Sequence, residues 1–212
     1  MRLKPYLGFL IVVLTLGLGA THHAQAQTIT IEKTWGGMSE EWGRTVVVDS
    51  SGNVYVIGDT DSFGLGMHDI FLLKYDPHGI LLWQKTWGGG DDDRGHHAAV
   101  DHFGNVYVTG YTGWADAILI KFDSTGALQW QKAWGGVALD FGNFVAVDSE
   151  GDVYVTGTGG GKVFLLKYDA AGNLLWQKTW GGGAGSAVLF DSSGNLYVVG
   201  GWGFKVLLLK VR

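Results

Sequence analysis

The architecture can be read from residues 74–108, KYDPHGILLWQKTWGGGDDDRGHHAAVDHFGNVYV, because both halves of this stretch recur along the chain. The first half contains the hinge Lys-Thr/Ala-Trp-Gly-Gly, which recurs at 33–37, 85–89, 132–136 and 178–182. The second half contains Asp-x-x-Gly-Asn/Asp-x-Tyr-Val, which recurs at 49–56, 101–108, 148–155 and 191–198. A period of roughly 45–50 residues is typical of repeat proteins, so the chain is interpreted repeat by repeat.

Each period holds four short apolar segments, which in the first period are residues 44–48, 53–57, 70–75 and 80–86. Tight turns connect two of the segment pairs, at residues 49–52 and 76–79. In such turns the Asp carboxylate can accept a turn amide, and Gly suits the position with positive φ. No apolar pattern with a helical period occurs. One period therefore predicts four antiparallel strands, A to D.

Strands A to C are apolar at almost every position, which predicts sheets that are buried on both faces. Four strands in a period of this length are typical of a propeller blade, and blades stacked around an axis bury both faces of each sheet. The sequence therefore predicts an all-β protein, a β-propeller of four four-stranded antiparallel blades. The blades are placed roughly at 42–87, 94–134, 141–180 and 184–212.

The fourth repeat has no D strand, whereas a spare D-like segment precedes the first repeat. Residues 29–33, ITIEK, align with residues 81–85, LLWQK. We therefore expect a strand at 28–33 that pairs with the last blade and closes the ring, because it would satisfy an open sheet edge. The alternative is that this strand completes the blade of a partner, so that a homodimer shares one eight-bladed ring.

The N-terminus has the features of a secretory signal peptide at residues 1–26. Arg2 and Lys4 precede an apolar run at 6–19, and Ala24-Gln25-Ala26 supplies a small-x-small cleavage pattern. We expect a mature domain at 27–212 that is secreted, periplasmic or on the cell surface and has no membrane span. An uncleaved membrane anchor is the alternative.

Composition restricts the class of partner. The chain has no cysteine, so an exported form is not stabilised by disulfides. Its formal net charge of −5 disfavours nucleic-acid binding, which normally needs a basic face. The expected partner is therefore a protein or a carbohydrate.

Two quoted stretches, GGGDDDRGHHAAVDHFGNVYVTGYT at 88–112 and DAILIKFDSTGALQWQKAWGG at 116–136, strongly resemble the bacterial and archaeal seven-bladed beta-propeller repeat (SBBP) family. The resemblance covers nearly all of residues 29–212, but only four repeats are present, fewer than the family name implies. It implies an exported or cell-surface protein with a binding or scaffolding role, and no shared catalytic residue. A weaker similarity to pyrroloquinoline-quinone propeller repeats at 167–176 supports the fold and predicts no cofactor.

All variation in loop length falls on one end of the predicted blades. The A–B and C–D turns keep a nearly constant length, whereas the B–C and D–A loops vary. These two sets of loops lie at the same end of a propeller, and we call that end the loop face. Variable loops on a rigid scaffold are where binding residues usually lie.

Aromatic residues outside the fixed repeat positions gather on the loop face and are the candidate binding residues: Trp42, Phe63, Tyr111, Trp114 and Trp202. Such rings can stack on sugars or anchor a protein partner, or they can fill gaps between loops. Gap filling is favoured for Trp42, because Phe141 occupies the equivalent repeat position. The repeated pairs exemplified by Trp83 and Trp87 lie on one face of a strand and are predicted to pack between blades.

Acidic residues also recur on the loop face, at Glu41, Asp93 and Asp140, with others at 59, 61, 69, 91 and 92. Asp91, Asp92 and Asp93 are weak candidates for a calcium site, but the preferred interpretation is that these carboxylates accept loop amides, and no metal is predicted. His68, His96 and His97 could form a zinc site with Asp91–Asp93. However, consecutive residues on a strand point in opposite directions, so at most one of His96 and His97 could contribute.

These observations favour an exported, non-enzymatic propeller that binds a protein or glycan through its loop face, or serves as a structural module of the cell envelope. No catalytic residue is assigned, since no nucleophile elbow or zinc-protease motif occurs. The alternative is a secreted hydrolase or lyase that uses the acidic loop residues of the same face.

Overall fold

The computed structural model describes residues 31–113 and 116–211. The predicted signal peptide, residues 28–30 of the predicted first strand and the candidate binding residue Trp114 lie outside these ranges. The described residues form strands arranged in four separate antiparallel sheets. Within them, there is no helix long and apolar enough to cross a membrane.

The strands follow the predicted A-to-D order in each sheet, and neighbours in sequence are neighbours in the sheet. The first sheet contains β1 (Glu41–Val48), β2 (Val54–Thr60), β3 (Asp69–Tyr75) and β4 (Leu81–Trp87). The second contains β5 (Arg94–Val100), β6 (Val106–Thr112), β7 (Asp116–Phe122) and β8 (Leu128–Trp134). The third contains β9 (Asp140–Val147), β10 (Val153–Gly159), β11 (Lys162–Tyr168) and β12 (Leu174–Gly182). The fourth contains β13 (Ala184–Phe190), β14 (Leu196–Trp202) and β15 (Lys205–Val211).

The turn between strands A and B has the predicted geometry. One oxygen of Asp49 accepts the backbone N–H groups of Ser51 and Asn53, both at 2.9 Å, and Gly52 has a φ of +80°. The other oxygen accepts the Asn53 side chain at 2.8 Å and the Tyr55 hydroxyl at 3.1 Å. Since the Tyr55 side chain is completely buried, this last bond fixes the turn to the core of the sheet.

Tryptophans of the D strand dock each sheet onto the next one. The Nε1 group of Trp87 donates to Gln131 Oε1 at 2.8 Å, and that of Trp134 donates to Gln177 Oε1 at 2.7 Å. The rings of Trp83 and Trp87 pack on a core built from residues of the first and second sheets. The predicted packing role of the repeated tryptophans is confirmed.

The two end sheets differ from the expectation that strands are buried on both faces. Val46 of β1 is 61 % exposed, whereas Ala98 and Val145, at the same repeat position, are 0 % and 1 % exposed. The prediction holds for the inner sheets and is wrong for β1 and for the fourth sheet. The reason is physical, because an end sheet has a neighbouring sheet on one side only.

The N-terminal segment differs from the prediction in its described part. Residues 31–33 form no strand. Ile31 and Lys33 lie over the turn glycine Gly79, and the ring of Trp35 lies 4.7 Å from that of Phe71. The segment therefore packs on the first sheet through its side chains. Among the described residues β15 pairs only with β14, so no closed ring is formed by them.

The Asp–Tyr bond provides a stability test. We expect Asp101→Ala to lower the free energy of unfolding by about 1–3 kcal/mol more than Asp169→Ala, because Asp101, unlike Asp169, accepts the hydroxyl of a buried tyrosine, Tyr107. Urea unfolding followed by tryptophan fluorescence measures the difference. Equal losses for the two variants would show that the hydroxyl contributes nothing.

The turn carboxylates also predict a pH dependence. Hydrogen bonds from the side chains of Asn195 and Asn173 lower the pKa of Asp191 and of Asp169. The contribution of these two aspartates to the free energy of unfolding is therefore complete above the unfolded pKa of about 3.9. It is lost as the pH falls through the lower folded pKa. The thermal midpoint should fall between pH 4.5 and pH 2, and less steeply in Asp191→Asn. A midpoint independent of pH over this range would contradict the assignment.

Candidate functional site

A cluster of charged and aromatic side chains lies on the loop face where the first and second sheets meet. We call it the His68 cluster, and its members are Trp42, Asp61, His68, Asp92, Arg94 and Tyr111. Trp42 and Arg94 stand at equivalent repeat positions near the starts of β1 and β5. His68 ends the longest B–C loop, and Asp92 ends the D–A loop that follows the first sheet.

His68 is held between two carboxylates. Its Nε2 atom lies 3.0 Å from Asp61 Oδ1, and its Nδ1 atom lies 2.7 Å from Asp92 Oδ1. The backbone fixes this arrangement, since the N–H group of Asp93 donates to the carbonyl of His68 at 2.9 Å. The side chain of His68 is mostly buried, so both ring nitrogens are engaged within the protein.

Asp92 is the centre of the cluster. Arg94 Nε donates to one carboxylate oxygen at 3.0 Å, and the Tyr111 hydroxyl donates to the other at 2.9 Å. Burial would raise the pKa of Asp92, but the contacts with Arg94, Tyr111 and His68 outweigh burial and lower it. Burial, together with the hydrogen bond to Asp92, raises the pKa of Tyr111 to about 12. At neutral pH Asp92 is therefore a carboxylate and Tyr111 a hydrogen-bond donor.

Trp42 covers the cluster and remains partly exposed. Its ring stacks on His68 with centroids 5.4 Å apart and an interplanar angle of 24°. The guanidinium groups of Arg44 and Arg94 each lie 5.8 Å from the ring centroid, a distance that permits cation–π attraction. Because 38 % of Trp42 is still exposed, its ring has both a packing role and a free surface.

A second charged pair beside the cluster ties the first two sheets together. Arg44 Nε lies 2.7 Å from Asp59 Oδ2, and Asp59 Oδ1 accepts the backbone N–H of Gly95 at 2.9 Å. Asp59 is completely buried, so the two bonds compensate for the burial of its charge. This carboxylate belongs to the scaffold and is not available to a ligand.

The predicted binding residues do not form one site. Trp42 and Tyr111 belong to the His68 cluster. Phe63 is 39 % exposed, and its ring lies 5.0 Å from that of Trp35. Trp202 is 53 % exposed and lies on the fourth sheet over Gly181. The loop face therefore presents separate aromatic groups.

The recurring acidic residues organise the loops. Asp93 accepts the backbone N–H of Gly89 at 2.7 Å. Asp140 accepts the N–H groups of Gly136 and Gly160, both at 2.9 Å, and so links a D–A loop to a B–C loop. The interpretation that these carboxylates accept loop amides is confirmed.

Carboxylates of the loop face explain the first glycine of the first three Trp-Gly-Gly hinges. A Cβ atom at Gly88 would collide with the carboxylates of Asp69 and Asp93. The fourth repeat has Gly183 where the others have Glu or Asp. There a backbone hydrogen bond replaces the carboxylate contact, since the N–H of Gly183 donates to the carbonyl of Gly161 at 2.7 Å.

The remaining histidines pack against the third sheet. His96 Nδ1 lies 3.1 Å from the carbonyl oxygen of Gly142, and the ring of His97 stacks on Phe144 at 3.7 Å. Burial lowers the pKa of both. Of the three candidate histidines, His68 is the one that contacts Asp92. Residues 31–113 and 116–211 contain no group of three or more His, Asp or Glu side chains arranged to hold a metal ion.

Sequence reasoning missed a set of exposed apolar side chains in the loops of this face. Each is at least 55 % exposed, and they are Met38, Leu65, Met67, Val137, Leu139 and Phe204. By contrast, the four-residue turns at the opposite end of the sheets carry one large apolar side chain, Phe103. These residues interrupt no strand pattern, so periodicity could not distinguish them from loop packing.

Comparison with known proteins agrees with this architecture. Residues 42–64 and 136–164 match the beta-propeller repeat family SBBP. No curated protein sequence matches the chain. Among solved structures, the Dos1 propeller superimposes with a TM-score of 0.57 at 14 % identity, over 82 % of this chain and 42 % of that chain. A luciferin-regenerating enzyme gives a TM-score of 0.47 at 16 % identity, over 74 % of this chain and 52 % of that chain.

The chain thus spans less than half the length of the Dos1 propeller chain that it matches. The low identity of that match supports the fold and nothing more specific. The repeat match covers the A–B hairpins of the first and third sheets. Residues 42–64 and 136–164 thus match beta-propeller repeats of the SBBP family, and the sheets have the strand order of propeller blades.

Proposed function

We propose that this protein is an exported, non-enzymatic binding module that holds a protein partner on its loop face. The supporting observation is the contrast between the two ends of the blades. The loop face exposes Leu65, Val137 and Phe204 almost completely, whereas the turns at the other end are polar except at Phe103. Exposed apolar side chains on the variable loops of one end, held by a rigid scaffold, favour a protein interaction surface there.

The scaffold suits this role because the loops are held rigidly. Carboxylates of the blades fix the loops through backbone amides, as Asp93 does with Gly89 and Asp140 with Gly136. A surface that is ordered before binding loses less conformational entropy when the partner docks. Half-exposed aromatic rings such as Trp202 can then bury area in a partner at little further cost.

The His68 cluster would supply specificity. It places Asp61, Asp92 and Arg94 beside the exposed face of Trp42, within one small area. Charged groups at an interface discriminate between partners more than they add affinity. We therefore expect the apolar loops to provide most of the binding energy and the cluster to select the partner.

A photo-crosslinking experiment tests the proposal. A photoreactive residue at position 65, in place of Leu65, should capture a discrete partner in the exported fraction of the source cells. The same residue at position 103, in place of Phe103, should capture none, because it lies at the opposite end of the blades.

The double variant Trp42→Ala/Trp202→Ala should weaken capture at least tenfold, since buried aromatic anchors commonly contribute about 2 kcal/mol or more.

The unlabelled protein serves as competitor, and circular dichroism of the double variant serves as the folding control. Capture at position 103 equal to that at position 65 would overturn the loop-face assignment. Binding of the wild type to a glycan array, lost in the double variant, would replace the protein partner by a carbohydrate.

His68 favours a second candidate function, a secreted hydrolase or lyase. A histidine with a carboxylate at each ring nitrogen is a plausible general acid or base, and Asp92 would be its orienting partner. Against this, the other recurring acidic residues of the face are engaged with loop amides.

Asp92→Asn separates the two functions. The binding proposal expects no turnover by the wild type on a panel of esters, glycosides and polyuronides, whatever effect Asp92→Asn has on partner capture. Turnover by the wild type that is lost in Asp92→Asn, with the thermal midpoint nearly retained, would support the enzyme instead. Asp152→Asn is the matched control, because it breaks an ion pair with Lys167 in the third sheet, away from the cluster.

A further inference from the structure

We infer that two copies of this chain join head to tail into one eight-bladed ring, in which the N-terminal segment of each copy, at residues 31–33, lies along the free edge of β15 of the other. The proposed site is the free edge and the free face of the last blade. Its occupant is the N-terminal segment and first blade of a second copy. This inference is independent of the partner that binds to the loop face.

The last blade exposes positions that every other blade buries. Leu208 is 68 % exposed, whereas Leu72, Leu119 and Leu165, its repeat equivalents, are 1 %, 2 % and 0 % exposed. Val206 is 83 % exposed, and the equivalent residues of the other three blades are at most 2 % exposed. These positions face the following blade, so the last blade presents a surface built to receive one.

The first blade presents the complementary surface. Val46 and Val48 are 61 % and 57 % exposed on the side that faces a preceding blade. A cavity of about 430 Å³ lies on the same side, and its lining includes Val56, Phe71 and Leu73. In the second and third blades the corresponding side is filled by the neighbouring blade.

The N-terminal segment already occupies the position of a D strand from a preceding blade. Trp35 Nε1 donates to Gln84 at 2.8 Å, as Trp87 does to Gln131 between the first and second blades. Lys33 lies over Gly79 as Lys85 lies over Gly126. The segment therefore reproduces half of an internal blade interface, and the part that it lacks is a C strand beside it.

Strand β15 is the C strand that fits this position. Its inner edge pairs with β14, and among the described residues its outer edge pairs with nothing. An open edge carries unpaired N–H and C=O groups that favour the addition of another strand. The D-like sequence at 29–33 and the unpaired C strand thus complement each other.

A second copy fits better than the chain's own segment. In the described residues the open faces of the first and last blades, at Val46 and Leu208, are both exposed in the same molecule, so they do not cover each other. Each open face of one copy would then be covered by the opposite open face of the other. Two arcs related by a two-fold axis form two identical interfaces and close the ring.

Light scattering of the secreted protein gives the first test. We expect twice the mass of one chain over a wide concentration range. Leu208→Asp should shift the protein to the mass of one chain, with at least a tenfold higher dissociation constant. Leu175→Asp is the matched control, because Leu175 is 50 % exposed on a strand of the third blade, which already has a neighbour on each side. It should remain a dimer.

A cysteine pair gives the second test and does not depend on the folding of Leu208→Asp. In the first and second blades, Leu72 pairs with Lys85 and Leu119 with Lys132, so the repeat places Leu208 opposite Lys33. The chain has no cysteine of its own. Lys33→Cys/Leu208→Cys should therefore form a disulfide between two chains on mild oxidation.

The outcomes are distinct. A dimer mass with a disulfide between chains supports the shared ring. A single-chain mass with a disulfide within the chain shows closure by its own segment and overturns the inference. A mass that keeps growing with concentration shows an open polymer and also overturns it, as does a single-chain mass without any disulfide.

Discussion

The contact between one tryptophan and the next blade is the interaction on which this structure depends. At three of the four hinges the indole docks on the sheet that follows it in the chain, where its N–H donates to a glutamine of that sheet's D strand. Hydrophobic burial and a directed hydrogen bond occur in the same contact, so the spacing between blades and their register are set together. The chain has no cysteine, and these contacts perform the joining that cross-links perform in many small exported domains.

The hinge also determines the chemistry of the loop face. The glycine after the tryptophan leaves space for carboxylates of the loops, and those carboxylates accept the amides of the loop that follows. Most of the acidity of the face is therefore structural. The His68 cluster arises where the first two repeats depart from the common pattern, since a longer loop brings His68 over the Asp92 that precedes β5.

Repetition made most of the fold predictable, and departures from repetition account for what was not. Asp49, Gly52 and Trp87 recur with fixed spacing, so their roles followed from turn geometry and strand alternation. The contacts of His68 with Asp61 and Asp92 could not be predicted, because they depend on the path of a loop found in one repeat. The exposure of Val46 and Leu208 could not be predicted either. Residues of the same kind are buried at the equivalent positions of other blades, and only the place of a blade in the series distinguishes them.

The recurrence of the Trp–Gln contact has a consequence for how such proteins change over time. Three of the four hinge tryptophans, Trp35, Trp87 and Trp134, donate to the same kind of partner, a glutamine 49, 44 and 43 residues further along the chain. Unequal recombination that adds or removes one whole unit leaves such a contact intact, because the new neighbours still present an indole to a glutamine. The number of units can therefore change without any new kind of contact between blades. The loops of each unit can meanwhile diverge independently.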